Sequence, residues 1–413
     1  MPTTFRLALA CAAMLICALL PASAWAAAGD RELLVAHTDG RLTVERAGKA
    51  RAASHRAGVR FVEPNVRYAA ASVPNDDLFE EQWSLADDRL IGVQTAWDVT
   101  TGGNVTVAVI DTGADLDHAD LRDNLWRNPR EVPGNGVDDD GNGFVDDVHG
   151  ADFVNRDGDP SDDNGHGTHV AGILAGRGGN RVGVSGVAQR ARLMIIKALG
   201  ADAVGSALTM AEAVRYAAAN GAKIVNMSVS GPTRSQAFEE AVQAASDAGV
   251  LLVVAAGNSG HDLDVQPEYP AAFPASHLLA VAATGRTGKL IGISNRGAAT
   301  VDIAAPGQSI VSTARDGDYE IRTGTSMAAP HVAGALALLA SARPDLGADA
   351  LQAALLGSAR RGVAVTTGTL DVAGAMRRVV SAVRWRNATR GGTVRGSSRK
   401  RSAVRASRAT LGR

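Results

Sequence analysis

The chain has 413 residues, 46% of them hydrophobic but only 4% aromatic, so a sizeable core must be built mainly from Ala, Val, Leu and Ile. The formal net charge is −1, yet Arg377–Arg413 holds twelve Lys/Arg and no Asp/Glu, which leaves a net −13 on the remainder. The basic end reads first as a solvated tail and second as a patch that adheres to an anionic surface or nucleic acid by charge alone, so no specific nucleic-acid partner is expected.

In chain order, Arg6, the run LALACAAMLICALL (Leu7–Leu20), Pro21 and Ala24-Trp25-Ala26 compose a secretory signal over residues 1–26. They supply a positive start, a short apolar stretch, a breaker and an A-x-A cleavage site. About 14 apolar residues are too few to span a bilayer. The expected product is secreted, extracellular or periplasmic, with no membrane span and no lipid anchor. Both cysteines, Cys11 and Cys17, leave with the signal, so the mature chain has no disulfide and no thiolate chemistry. An exported protein without disulfides needs another staple, and a bound metal is the obvious candidate.

Residues 27–75 form a small separate region. RELLVAHTDGRLTVERAG and GVRFVEPNVRY are two strand-rich pieces, and AAASVPNDD (Ala69–Asp77) is a linker open to processing. Over 76–382 the pattern changes. Apolar runs at 104–113, 191–199, 222–230 and 249–258 alternate with helical periods at 208–221 and 235–249 that end in Gly. Near-continuous apolar strands alternating with helices predict an α/β fold of three layers, a mostly parallel central sheet with helices on both faces. Working residues of such sheets lie beyond the carboxyl ends of the strands. Residues 383–413 lack apolar periodicity and are expected to be disordered.

Three segments could carry chemistry. Asp111 directly follows the apolar strand VTVAVI, and a carboxylate there needs partners because burying an unpaired charge is costly. Alone, it reads sooner as a helix N-cap or turn aspartate than as a catalytic one. His166 lies between Gly165 and Gly167 at the mouth of a helical run, while His169, inside that run, reads as structural. H-x-x-H lacks the Glu of the zinc-protease helix. Ser326 sits where the loop TGT enters the run SMAAPHVAGALALLA; alone, an N-cap serine is the blander reading. Free N–H groups at that helix start suit a developing oxyanion. Together the three fit one logic: a serine hydroxyl needs a base to take its proton and a carboxylate to orient that base.

VAVIDTGAD, NGHGTHVAGI and GTSMAAPHVAG resemble the three signature blocks of the subtilisin-like serine peptidases, in that family's order, and the likeness runs from about Pro74 to Ala375. The resemblance implies a subtilisin-like fold and an endopeptidase acting through an acyl-enzyme. It makes Asp111 the orienting carboxylate, His166 the general base and then acid, and Ser326 the nucleophile. AAGNSG resembles the family's oxyanion block, which makes Asn258 a side-chain donor to the oxyanion. NMSVSGP resembles the segment that binds substrate as an added strand, which assigns Ser228, Val229 and Ser230 to the cleft. The family usually has Gly-Gly where this chain has Ser230-Gly231, so the hydroxymethyl of Ser230 narrows or polarises the pocket for the substrate residue before the scissile bond.

In PGNGVDDDGNGFVDDVHGADF (Pro133–Phe153), Asp138, Asp140 and Asn142 alternate, Gly143 follows and Asp146 comes three residues on. Alternating oxygen donors followed by Gly are the first half of a calcium loop. Asp138, Asp140, Asn142, the Phe144 carbonyl and Asp146 are the expected ligands of a structural Ca²⁺. His149 stands at the position for a bidentate Glu, so the loop is a short insert and not an EF-hand. The run DGDPSDDNG (157–165) either joins that site or caps the His166 helix.

VRFVEPNVRY also resembles the end of a family propeptide. The region before the junction is short, which favours an inhibitory plug on a zymogen over a folding assistant. Protein or peptide substrates and this propeptide are the expected partners of a monomer. Two other functions share the fold: a peptide transferase or macrocyclase, and a catalytically silent binding protein. The first needs an insertion shielding the cleft from water, which the sequence lacks, and the second is disfavoured by an intact triad.

Overall fold

Along Val107-Ala108-Val109-Ile110, alternate residues are buried in two different cores, because successive side chains of a strand point to opposite faces. The computed structural model describes residues 32–46, 57–64 and 73–389. The expected signal segment and the part of the expected tail beyond residue 389 lie outside the described residues, whereas residues 383–389, expected to be disordered, continue the helix Val372–Thr389.

The chain divides into two units, residues 1–69 with 382–413 and residues 70–381. In the first, strands β1 (Glu32–His37), β2 (Leu42–Arg46) and β3 (Val59–Pro64) form an antiparallel sheet in the order β2-β1-β3. Leu33, Val35 and Val62 make its small core.

The second unit is built on eight parallel strands: β4 (Thr106–Asp111), β5 (Gly150–Asp152), β6 (Arg192–Lys197), β7 (Ile224–Met227), β8 (Leu251–Ala255), β9 (Leu278–Thr284), β10 (Ile303–Pro306) and β13 (Gly368–Thr369). Their order is β13-β10-β9-β8-β7-β4-β6-β5. A separate hairpin pairs β11 (Ile310–Thr313) with β12 (Tyr319–Arg322). Six longer helices complete the fold: α1 (His166–Ala175), α2 (Ala207–Ala219), α3 (Gln236–Asp247), α4 (Thr325–Ala342), α5 (Ala348–Ser358) and α6 (Val372–Thr389).

On one face of the sheet, Val107, Val109 and Val253 pack with Val170 and Leu174 of α1 and Val332, Leu336 and Leu339 of α4. On the other, Ala108, Ile110 and Val254 pack with Met210 and Val214 of α2 and Phe238 and Val242 of α3. This is the expected three-layer α/β architecture, and burying both faces explains why the strands read as unbroken apolar runs. Helix α4 is itself long and apolar enough to cross a membrane, a property the sequence reading passed over; 83% of it is buried in the fold, so its apolarity is that of a core helix.

Candidate active site

The site gathers at the carboxyl ends of β4, β7 and β8, against the N-termini of α1 and α4. Asp111 ends β4 with no exposed surface. Its Oδ1 accepts from the Thr112 N–H at 2.8 Å and lies 2.7 Å from Nδ1 of His166, the first residue of α1. Gly167 lets these elements touch, since a Cβ there would collide with the Gly113 carbonyl and press on the Asp111 side chain. The contact accounts for the glycine after the histidine.

Asp162 fastens the mouth of α1. Its Oδ1 accepts from the Asn164 and Gly165 N–H groups at 2.9 Å each and from the Thr112 hydroxyl at 2.8 Å. Its Oδ2 accepts from the Thr168 N–H at 3.0 Å and the Thr168 hydroxyl at 2.6 Å. Thr112 in turn accepts from the Gly167 N–H at 2.9 Å. Burial pushes the Asp162 carboxyl up, but these hydrogen bonds outweigh it and hold the group below the usual carboxylate range. Of the two roles left open for the acidic run, Asp162 performs the capping one.

Burial alone lowers the His166 ring. The charge and hydrogen bond of Asp111 overcome that, so its pKa lies above the ordinary imidazole value, with Arg322 opposing and Asp162 assisting. His169 is inside α1, buried, and pushed down to about 3 chiefly by burial. Its Nε2 faces the Ile310 and Glu320 carbonyls at 3.1 and 3.2 Å, a structural link from α1 to the β11–β12 hairpin.

Ser326 is the second residue of α4 and is 9% exposed. Its Oγ donates to the Ser228 carbonyl at 3.2 Å, and the Ser228 hydroxyl donates to the Ser326 carbonyl at 3.0 Å. The structure thus puts the Ser326 hydroxyl against the segment after β7 and not on His166 Nε2; catalytic hydrogen bonds are commonly loose before substrate binds. Asn258 follows β8. Its Oδ1 accepts from the Thr325 N–H at 2.9 Å and the Thr325 hydroxyl at 3.2 Å. Asn258 is an exposed residue, and with Oδ1 so occupied its amide N–H groups are the donors it has left. His166, Ser228, Val229, Ser230, Asn258 and Ser326 line a single cleft of about 400 Å³.

The sequence reading missed Lys197. It ends β6 with 1% exposure, and its Nζ donates to the Thr112 and Leu199 carbonyls at 2.9 and 3.1 Å and to Asp163 at 2.5 Å. A cation placed there braces the loop that carries Asp111. The only hint was a lysine closing an apolar run.

The acidic loop differs in part from expectation. Asp140 joins Glu131 and Asp147 in a cluster whose oxygens lie within 4.8 Å of one another, and neither Glu131 nor Asp147 was among the expected ligands. Asp146 was, but its carboxylate is taken up by the N–H groups of Gly134, Asn135 and Gly136, which staple the loop. Asp138 accepts from the Asn142 and Gly143 N–H groups at 3.1 and 2.8 Å. Asn142 donates to Asp147 at 2.8 Å, and the Phe144 ring packs on Phe153 and Tyr216. Burial pushes the Asp147 carboxyl up, and the Asp140 charge adds to this, while hydrogen bonds from Tyr216, Asn142 and Asn128 offset part of it. Glu131 Oε2 is buried with no hydrogen-bond partner among the described residues. An all-oxygen set with an orphaned carboxylate oxygen fits a hard cation such as Ca²⁺.

Comparison with known proteins gives a consistent result. The chain is 38% identical over 284 residues to the thermophilic serine proteinase of Bacillus sp. (strain AK1), covering 68% of this chain and 63% of that one. It is 36% identical to subtilisin-like protease 1 of Plasmodium falciparum (isolate 3D7), covering 66% of this chain and 42% of that one. It is 35% identical to thermitase of Thermoactinomyces vulgaris, covering 65% of this chain and 85% of that one. This chain therefore spans less than two thirds of the length of the first two. Among solved structures, a protease from Pseudoalteromonas arctica PAMC 21717 superposes with a TM-score of 0.64 at 30% identity, over 75% of this chain and all of that one. A cold-adapted subtilisin-like serine proteinase does so with 0.53 at 34% identity, over 66% and 88%. The subtilase family model matches residues 102–385, a stretch that carries the paired Asp111 and His166, Asn258 and the Ser326 helix start, so this chain belongs to the subtilase family.

Proposed function

We propose that this chain is a secreted serine endopeptidase that hydrolyses protein or peptide substrates through an acyl-enzyme on Ser326. The observation that carries the reading is the 2.7 Å contact of Asp111 with His166 in a cleft also lined by Ser326 and Asn258. Substrate lies along Ser228–Ser230 as an added strand. Ser326 Oγ turns from the Ser228 carbonyl to His166, loses its proton to Nε2 and attacks the scissile carbonyl. Asp111 keeps Nδ1 protonated and stabilises the imidazolium. The Asn258 amide and the Ser326 N–H hold the oxyanion. His166 returns the proton to the leaving amine, and water then repeats the sequence to free the acid. The short N-terminal region acts as an inhibitory propeptide on a monomeric zymogen, and the N-terminal signal directs export.

The test is intact mass after treatment with a fluorophosphonate. One adduct on the wild type and none on Ser326→Ala supports an activated serine. No adduct on protein processed to its mature form, with calcium supplied, removes the reading.

The pH profile offers a second check. His166 must be neutral to act as base, so kcat/KM rises with pH through its raised pKa. Asp111 and Asp162 push that pKa up and Arg322 pushes it down. Arg322→Gln therefore moves the acid limb to higher pH, measured from kcat/KM against pH. An acid limb that stays put or moves down removes Arg322 from the electrostatics of the base.

For the acidic loop we propose Ca²⁺ held by Glu131, Asp140 and Asp147, where it supplies charge neutralisation and a cross-link with no part in the reaction. Chelation by EDTA should lower the thermal midpoint by roughly 5 °C or more, as expected if about 3 kcal/mol of binding energy is lost. Glu131→Gln should lose most of that response. An undiminished chelator response in Glu131→Gln places the stabilising ion elsewhere.

A further inference from the structure

The cleft around Ser326 has one side chain that can carry a charge, His166; every other residue lining it is apolar, aromatic, hydroxyl, amide or glycine. Just past its wall lies a full charge. Glu268 is 6% exposed, and its Oε1 meets His261 Nδ1 at 3.1 Å. Its other oxygen, Oε2, takes no hydrogen bond among the described residues and lies against Gly257, the residue before Asn258. Gly257 itself donates to the Thr325 hydroxyl at 3.1 Å, one residue before Ser326. The carboxylate therefore stands one residue away from both the amide donor and the nucleophile's helix.

Gly257 has φ +103°, and a Cβ built on it would collide with Glu268 Oε2 and the Asn295 amide and sit 3.0 Å from Ser230 Oγ. Glycine at this point lets the Glu268 carboxylate and the hydroxyl of Ser230 both approach the backbone closely. A second cleft, open to solvent, contains Glu268 and shares Ser230, Gly231, Thr233 and Tyr269 with the first. Arg234 is the nearby cation in that second cleft, but its guanidinium is paired with Glu239 at 2.5 and 2.8 Å. The carboxylate is nine-tenths buried with one ring for a partner, and its free oxygen is not sealed from solvent, so a cation entering along the clefts can meet it.

We infer that Glu268, with Ser230, selects substrates carrying arginine or lysine immediately before the scissile bond. The inference rests on the endopeptidase reading for what the cleft does, and adds the class of substrate. The long apolar stem of a basic side chain suits the wall formed by Val229 and Ala255, and its charged end reaches Oε2. Arginine is favoured over lysine, because its planar fork can meet the carboxylate and the Ser230 hydroxyl together.

The experiment compares matched peptide anilides that differ only in that residue, Arg, Lys, Leu or Phe, at about pH 8.5, where an ordinary imidazole is neutral. The expected kcat/KM for Arg exceeds that for Leu by at least about tenfold, and Glu268→Gln lowers this ratio by at least about tenfold. A ratio of one or less in the unaltered protein overturns the inference without any variant. So does a ratio unchanged in Glu268→Gln whose thermal midpoint shows that it is folded. Binding of benzamidine, a mimic of the arginine head, to Ser326→Ala by calorimetry needs no turnover. Binding that weakens at least about tenfold when Glu268→Gln is added supports a cationic pocket even if every anilide stays intact, in which case the endopeptidase reading alone fails. Absence of benzamidine binding overturns the pocket.

Discussion

Ser326→Ala is expected to lower kcat by about 10⁶-fold, His166→Ala by a similar factor, and the double variant no further, on the scale known for subtilisin itself. The reason is that, in the proposed mechanism, the hydroxyl and the ring act as one unit. Without Oγ there is no proton for His166 to take, and without the ring the hydroxyl is a weak nucleophile. KM should change little, because the groups proposed to bind substrate, Ser228–Ser230, keep their places. The Ser228 hydroxyl still donates to the Ser326 carbonyl, a bond that does not involve the deleted Oγ. The deletion leaves the Ser228 carbonyl without the Ser326 hydroxyl, a loss of about 1 kcal/mol, so the thermal midpoint should fall only slightly. Steady-state kinetics on a peptide anilide, with expression from a protease-deficient host, reads the effect. Retention of more than about a hundredth of the activity in Ser326→Ala overturns the nucleophile assignment, and a double variant much slower than either single one overturns the pairing.

Much of the second unit was legible because its physics is local. Strands β4, β6, β7 and β8 are buried on both faces, so their sequences are unbroken apolar runs. Asp111 ends such a run before a glycine turn, and His166 and Ser326 stand at the starts of apolar helices that follow a glycine. Strands β9, β10 and β13 were not anticipated. Ala-rich LLAVAAT and the four-residue IAAP are short on β-branched residues, and Gly368–Thr369 is too short to carry a pattern.

The carboxylate cluster shows a different limit. Alternating Asp138, Asp140 and Asn142 suggested a ligand set contained within one loop. The fold also brings Glu131 from upstream and Asp147 from downstream to Asp140, and Tyr216 of α2 donates to Asp147 from 69 positions away. Asp146 could not be told from its neighbour Asp147 by sequence. One turns to the backbone of Gly134–Gly136 and the other inward, and the positive φ of 54° at Asp146 is where the chain makes that choice. Lys197 was hidden for a related reason: its partners are two carbonyls and Asp163, none of which shows in a side-chain pattern.

The same distinction between a group's neighbours and its purpose governs Asn258, where two functions sit on one amide. Oδ1 accepts from Thr325 and helps fix the start of α4, while the N–H groups are proposed to hold the oxyanion. Asn258→Ala removes both, and kcat should fall by about 10²–10³, the range established for losing such a donor in subtilisin. KM should remain within a few-fold, because the donor acts on charge that develops only in the transition state. Stability should fall by about 1 kcal/mol as the Thr325 N–H loses its acceptor. Asn258→Asp separates the two functions. A carboxylate keeps the acceptor for Thr325, so the thermal midpoint should recover. It offers no donor and places negative charge beside the oxyanion, so kcat should stay at least as low as in Asn258→Ala. Paired measurement of kcat and thermal midpoint on the three proteins decides the matter. If Asp restores turnover together with stability, Asn258 serves only to hold the helix start, and the oxyanion must be stabilised by backbone N–H groups alone.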